Sequence, residues 1–347
     1  MDFTTSRKGI DYLIKHSGDS RDLNIAFYGG EPVLEFELIK QCVKYISING
    51  EGRRFHFSLT TNGTLLTKEI IKFFVDNKFS IIFSLDGPED VHNNKRHSPD
   101  NKGSFEPLFK NIIYIYENYL EYYKTYVSFN TVIDIEDGFK KIADFLSNNK
   151  VLKNSIFSAS SINPNYSTVM REVSEKYLRE RRYEDLKVFL YKIGRLNEND
   201  ISKIALHEFE SFLEARMKMV LDDREELPDV CQHAGPCIPG TFRLFMTVDG
   251  DLFPCERVSE ISKFSKIGNI DTGIDLKSAN RILNIEKYSS KKCRNCWAYS
   301  FCNVCVACCD DIEGFSLDLQ DEECARVRIK SDEALKDYTV LKSLISN

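Results

Sequence analysis

The sequence predicts an α/β protein: a parallel sheet flanked by helices, then a charged helical stretch, then a cysteine-rich part. Three observations predict it. Strand-like and helix-like segments alternate through the first half of the chain, the pattern of successive βαβ units. The strand-like segments end in glycine-bearing or polar corners, the end of the sheet at which such folds place their sites. Ten of the eleven cysteines lie after residue 230, so the chain changes character there.

The elements follow in order. SRKGIDYLIKHS sets Ile10, Leu13 and Ile14 on one helix face, and NIAFYGG is a short apolar strand stopped by glycines. FELIKQCVKYI is helical again, with Leu38, Ile39, Val43 and Ile46 on one side. Then come strand RFHFSLTTNG, helix KEIIKFFVDN, strand SIIFSLDGP, helix FEPLFKNIIYIYENYLEYY, strand YVSFNTVID, helix GFKKIADFLSN and strand SIFSASSIN. Their corners are GGEP, TTNGT, SLDGP, NTVID and SSINPN. From about Pro164 to Asp229 the chain is charged and helical, clearest in YLRERRYEDLKVFLYKI and ENDISKIALHEFESFLEARMKMVL. LFMTVDGDLFPC predicts two short strands around an Asp-Gly turn, and ARVRIKSDEALKDYTVLKSLI a closing helix.

Composition excludes some partners. The 347 residues are 42% hydrophobic and 29% charged with a net charge of −6, so no basic field invites nucleic acid. Apolar runs such as SIIFSL are too short to span a bilayer, and no export signal opens the chain. The expectation is a cytoplasmic protein without a membrane or nucleic-acid partner.

Cys42 stands alone. The other cysteines are Cys231, Cys237, Cys255, Cys293, Cys296, Cys302, Cys305, Cys308, Cys309 and Cys324. Clustered thiols in a large chain of a reducing compartment are read as metal ligands rather than as a disulfide framework. Ten thiols exceed one four-ligand site and approach two. Two [4Fe-4S] clusters or two zinc sites both satisfy that count, and spacing alone does not choose between them.

The pattern C-x12-G-x4-C, a gap, C-x2-C-x5-C and a final cysteine resembles the SPASM domain of radical S-adenosyl-L-methionine (SAM) enzymes. Upstream, FYGGEP (27–32), TTNGTLL (60–66), FSLDGPEDVHNNKR (83–96) and GSF (103–105) occur in the order found in peptide-modifying members of that family. These include maturases of Cys-rich peptides, of the thioether or sactipeptide type, and anaerobic sulfatase-maturing enzymes. The resemblance implies a partial (β/α) radical SAM-type barrel over 1–165, a helical bridge over 166–229, a SPASM domain over 230–325 and a C-terminal helix over 326–347. It also implies two auxiliary [4Fe-4S] clusters. One would be held by Cys231, Cys237, Cys255 and Cys305, with Cys308 and Cys309 as rivals for the fourth place. The other would be held by Cys293, Cys296, Cys302 and Cys324. SAM contacts are implied for Gly29, Gly30 and Glu31 (amino group), Ser84 with Asp86 (ribose corner) and Arg96 (carboxylate). Glu256, directly after Cys255, stands where relatives carry a catalytic base. The implied partners are a precursor peptide and an electron donor such as flavodoxin or ferredoxin.

The family also needs CxxxCxxC for a third [4Fe-4S] cluster that works with SAM. No such motif occurs in this sequence, and in relatives it precedes a segment like MDFTTSRKGIDYLIKHS. The resemblance therefore implies a chain that lacks the first barrel strand and the cluster loop, and that does not cleave SAM alone. The function implied for the intact protein is hydrogen abstraction from a ribosomally made, Cys-rich peptide to form a thioether crosslink. Alternatives are sulfatase maturation and a non-catalytic iron–sulfur or zinc module.

Overall fold

The computed structural model describes all residues except 99, 136–137, 162–171, 212, 214–232, 234–236 and 346–347. The corner SSINPN beyond Ser161, Cys231, and the whole of the segment EARMKMVL lie outside the described residues. The chain forms two compact units: residues 17–164 with 169–210, and residues 1–16 with 165–168 and 211–347.

The first unit is built on five strands, β1 (Asp22–Phe27), β2 (Arg54–Thr61), β3 (Ser80–Ser84), β4 (Val127–Ile133) and β5 (Ile156–Ser161), all parallel and ordered β1-β2-β3-β4-β5. These are the five strands the alternation predicts. Helix α1 (Phe3–His16) precedes them and belongs by its contacts to the other unit, whereas the sequence groups it with the barrel. Between the strands lie α2 (Phe36–Asn49), α3 (Lys68–Asp76), α4 (Glu89–Asn93), α5 (Phe105–Asn118), α6 (Leu120–Tyr126) and α7 (Phe139–Asn148).

Side chains of a strand alternate between faces. Along β3 and β4, Ile81, Phe83, Val127, Phe129, Thr131 and Ile133 are buried, while Ile82, Ser84, Ser128, Asn130 and Val132 are half-buried. The buried face joins Leu59, Phe74, Phe79, Leu108, Ile112, Ile142 and Leu146 in one core. Phe79 lies at its centre, with ring centroids of Phe74 at 4.8 Å, Phe57 at 5.1 Å and Phe27 at 6.0 Å. Each such ring contributes roughly 1.5–3 kcal/mol through burial.

The single helix expected over FEPLFKNIIYIYENYLEYY breaks at Tyr119, whose backbone leaves the helical region at φ −140° and ψ 51°. The break turns Tyr122 and Tyr123 inward. The Tyr122 hydroxyl donates to the Phe79 carbonyl at 2.5 Å, and that of Tyr123 to the Val151 carbonyl at 3.0 Å. Two paired phenols in the core outweigh one continuous helix.

The charged stretch supplies α8 (Glu175–Lys192) and α9 (Lys203–Phe209), which pack on α7, on each other and on β5. They do so despite their charge because the buried charges are paired. Arg181 bonds Asp185 at 3.0 Å and Glu208, and lies 5.0 Å over the Phe139 ring; the buried Glu184 accepts from Lys187 at 2.9 Å.

In the second unit, β6 (Phe245–Met246), β7 (Asp251–Phe253), β8 (Gly268–Asn269) and β9 (Gly273–Ile274) form an antiparallel meander. The predicted Asp-Gly turn is there, with Gly250 at φ +82°. Residues of β8 and β9 carry no strand pattern of their own and pair only because β7 offers an edge. Short helices α10 (Leu276–Leu283), α11 (Ser290–Arg294) and α12 (Val306–Cys309) precede α13 (Leu317–Ile345). The last helix begins well before the expected position, so Cys324 stands inside it; the Ser316 hydroxyl accepts the Leu319 N–H at 3.3 Å and starts the helix there.

Gly63 ends the loop after β2 in the left-handed region, φ +69°, and a Cβ there would come 2.5 Å from Leu108 and 2.8 Å from Phe83. Gly63→Ala is expected to cost about 2–4 kcal/mol from backbone strain plus overpacking. Urea unfolding should show a lower midpoint with an unchanged slope.

Candidate functional site

A parallel sheet brings all its strand C-termini to one edge. Three of the motifs singled out in the sequence meet there. After β1, Gly29 and Gly30 are exposed, and no atom stands within 4 Å of where their Cβ would be. Glu31 caps a 3-10 turn over Pro32–Glu35, accepting the Val33 N–H at 3.1 Å. The same carboxylate reaches the neighbouring corner, accepting the Thr61 hydroxyl at 2.7 Å and the Asn62 N–H at 2.8 Å. Glu31 therefore locks the β1 and β2 corners together and leaves the two glycines as open backbone.

After β3, Asp86 is 5% exposed. Its Oδ1 accepts the Val132 N–H at 2.9 Å and the Arg96 Nη2–H at 3.1 Å, and its Oδ2 accepts Arg96 Nε–H at 2.5 Å. Arg96, read as a ligand contact, thus has one guanidinium edge committed to Asp86. The Nη1–Nη2 edge is what it can offer a ligand. His92 is 1% exposed and takes the Asp86 N–H on Nδ1 at 3.3 Å, while Nε2 lies 3.0 Å from the Ser104 hydroxyl. Burial pushes its pKa down to about 4, opposed by the charge of Asp86 and aided by that of Arg96.

Ser84 ends β3 on the polar face of the sheet. The register sets it beside Asn130, and Asn130 beside Ser158, so one polar row crosses three strands. Sequence reading missed Asn130 and Ser158, although the alternating S-x-S and S-F-N patterns in those strands were the available signal. It also missed Asp134, buried after β4 and paired with Lys95, the residue before Arg96.

In the second unit, the nine described cysteines form no disulfide. Cys302 is pushed up to about 11 by burial and then by the like charges of Cys324, Cys293 and Cys296, so the four thiols expected to share a cluster are electrostatic neighbours. Cys305 bonds Cys308 and neighbours Cys255, with which it packs against Leu252, Phe253 and Ile267. That hydrogen bond raises Cys305 and holds Cys308 down at about 7. Cys309 is fully buried against Val304 and Val327, with Cys302 and Cys324 around that core. Cys237 is exposed. Glu256 is half-buried and accepts from Arg243 at 2.9 Å. His233 is buried, with Nε2 2.8 Å from the Val304 carbonyl.

The radical SAM superfamily profile matches residues 9–146. The chain carries a radical SAM domain. It is similar over 310 residues, at 25% identity, to a cysteine-type anaerobic sulfatase-maturating enzyme of Clostridium novyi, covering 84% of this chain and 76% of that protein. A Clostridium perfringens enzyme of the same description is 26% identical over 314 residues, 85% of this chain and 77% of its own. The radical SAM cyclopropyl synthase TigE of Paramaledivibacter caminithermalis is 29% identical over 147 residues, 42% of this chain and 29% of that protein. Among solved structures, native anSMEcpe with bound AdoMet and Cp18Cys peptide superposes with a TM-score of 0.69 at 18% identity, covering 99% of this chain and 92% of that one, which places the fold.

The matched span contains the strand-end motifs; the ten cysteines after residue 230 lie outside it. Among the described residues, no three His, Cys, Asp or Glu side chains converge tightly enough to hold a single metal ion. One zinc requires four donors on a single centre, whereas a [4Fe-4S] cluster places each thiolate on a different iron and so holds them farther apart. An all-thiol donor set is chemically compatible with such a cluster.

His92 carries a pH signature of the radical SAM domain. Its folded pKa of about 4 lies below the ordinary 6.5, so between those values the unfolded chain binds the extra proton. The contribution is complete above pH 6.5 and is lost as pH falls toward 4, amounting to roughly 3 kcal/mol. Denaturant titrations across that window should show the slope in the native chain and its loss in His92→Phe.

Proposed function

We propose that the chain is the SAM-binding and auxiliary-cluster portion of a peptide-modifying radical SAM enzyme, acting on a ribosomally made, Cys-rich peptide to form a thioether crosslink. The observation that carries the reading is one chain that joins a radical SAM domain to a unit in which Cys293, Cys296, Cys302 and Cys324 are neighbours. In this reading the exposed backbone of Gly29 and Gly30 receives the SAM amino group, and Glu31 keeps that corner open. Ser84 meets the ribose. Arg96 takes the SAM carboxylate with its free edge, while Asp86 fixes the guanidinium.

The first auxiliary cluster falls to Cys231, Cys237, Cys255 and Cys305; the packing of Cys305 beside Cys255 supports it over Cys308 and Cys309. The second falls to Cys293, Cys296, Cys302 and Cys324. Glu256 is the proton acceptor beside the peptide, held in place by its bond to Arg243. When bound, SAM and a third, reduced [4Fe-4S] cluster supply a hydrogen-abstracting radical; an electron donor such as flavodoxin or ferredoxin provides the reduction. The sequence holds no CxxxCxxC motif for that third cluster.

A second reading, maturation of a sulfatase cysteine, is favoured by the similarity over 84% of the chain to enzymes of that description. The products differ. A thioether removes two hydrogens and leaves an internal crosslink, whereas a change confined to one cysteine leaves the peptide open to sequencing by mass spectrometry.

The direct test of the cluster assignment is anaerobic reconstitution of this chain. About eight irons and eight sulfides per chain are expected, falling by half in Cys302→Ala and in Cys255→Ala. About two zincs without sulfide would end the auxiliary-cluster reading. Cys305→Ala should lose half the iron while Cys308→Ala and Cys309→Ala keep it; the reverse would move the fourth ligand.

A further inference from the structure

We infer that His92 is a positioning residue for the Arg96 guanidinium, tying together both ends of the Asp86–Arg96 pair through the backbone. The inference rests on the reading of Arg96 as a SAM contact. The side-chain pair closes a ten-residue loop, and a second closure runs alongside it. The Asp86 N–H donates to His92 Nδ1 at 3.3 Å, His92 Nε2 lies 3.0 Å from Ser104 Oγ, and the Ser104 hydroxyl donates to the Arg96 carbonyl at 3.0 Å.

The chain of bonds has one consistent direction. Ser104 Oγ gives its proton to a carbonyl, so it must accept from His92. His92 then carries its proton on Nε2 and leaves Nδ1 as the acceptor. Both groups at its ends belong to the two residues of the ion pair. A core histidine serving only to fill space has no reason to end on those two residues.

The surroundings leave this arrangement little freedom. The chain returns from Arg96 to Ser104 through a bridge between His97 and Gly103. A Cβ on Gly103 would stand 2.3 Å from the Asn93 side chain, whose Oδ1 accepts the Phe105 N–H at 3.0 Å. Ser104 is therefore held at a fixed distance from α4, the helix that carries His92. Without the imidazole, Asp86 and Arg96 still attract each other, but the backbone that sets the aim of the free guanidinium edge loses its reference.

The test uses the 347-residue chain and two measurements. The first is the exchange rate of the Arg96 Nε–H by NMR, which needs no ligand. It should rise about tenfold in His92→Phe and in Ser104→Ala, in line with the loss of one hydrogen bond in a charged network. Unchanged exchange in both variants would overturn the inference. The second is the dissociation constant of SAM in a cycle of His92→Phe, Arg96→Ala and the double variant. His92→Phe should weaken binding about tenfold with Arg96 present and not at all without it. An equal loss in both backgrounds would mean that His92 acts on SAM by some route other than Arg96, and would also overturn it. If Arg96→Ala leaves SAM affinity unchanged, or the chain binds no SAM, the SAM reading of Arg96 fails, and the exchange rates still decide the role of His92. Ser104→Ala, which keeps the imidazole, carries both measurements if His92→Phe does not fold.

Discussion

A carboxylate that reaches from one strand end to the next is the contact on which the candidate site depends. Parallel strands end with backbone N–H groups that have no further partner in the sheet, and a buried unpaired one is costly. Here Glu31, from the corner after β1, accepts the N–H of Asn62 beyond β2. Asp86, from the corner after β3, accepts the N–H of Val132 in β4. The same device appears twice, and each time the carboxylate has a second duty. Glu31 organises the turn that exposes Gly29 and Gly30. Asp86 aims an arginine. Because a charge so deeply placed is tolerated only when fully paired, the site and the sheet edge stabilise each other.

The sheet itself separates two kinds of chemistry by the period of its strands. Phe83 and Phe129 point to the helices, and Ser84 and Asn130, one residue along each strand, point the other way. A register slip by one residue would put serine and asparagine into the core, so the polar row is defined by the same constraint that defines the fold. In the second unit the corresponding constraint is covalent spacing. A two-residue gap places Cys293 and Cys296 at one turn, while Cys302 and Cys324 arrive from a loop and from α13.

Much of this was legible in the sequence because it is local. Five strands announce themselves by alternation, and the cysteine run by its density. The motifs at FYGGEP, TTNGT and SLDGP fall at strand ends as read, since a glycine-bearing corner is decided by residues adjacent in the chain. What was not legible depends on distant partners. The break at Tyr119 follows from hydroxyls that find carbonyls at Phe79 and Val151. The strands at Gly268 and Gly273 exist only against β7. Nothing near Arg96 in the sequence says that ten residues upstream a carboxylate will claim one edge of it, or that His92 and Ser104 will join the two backbones. The early start of α13 rests on Ser316 acting as a cap.

The order of the sheet bears on how the protein is made. Each strand pairs with the one synthesised just before it, so the β1-to-β5 sheet can assemble as the chain emerges, with no strand waiting for a distant partner. Helix α1 is the opposite case. Lys8 pairs with Asp271, and Gly9 rests against Met246, so its docking surface appears 263 residues after it in the case of that ion pair. At ordinary rates of translation that is an interval of roughly ten to fifty seconds. During it an amphipathic helix with Ile10 and Ile14 uncovered is available to chaperones, which makes this segment, rather than the sheet, the vulnerable stage of biogenesis.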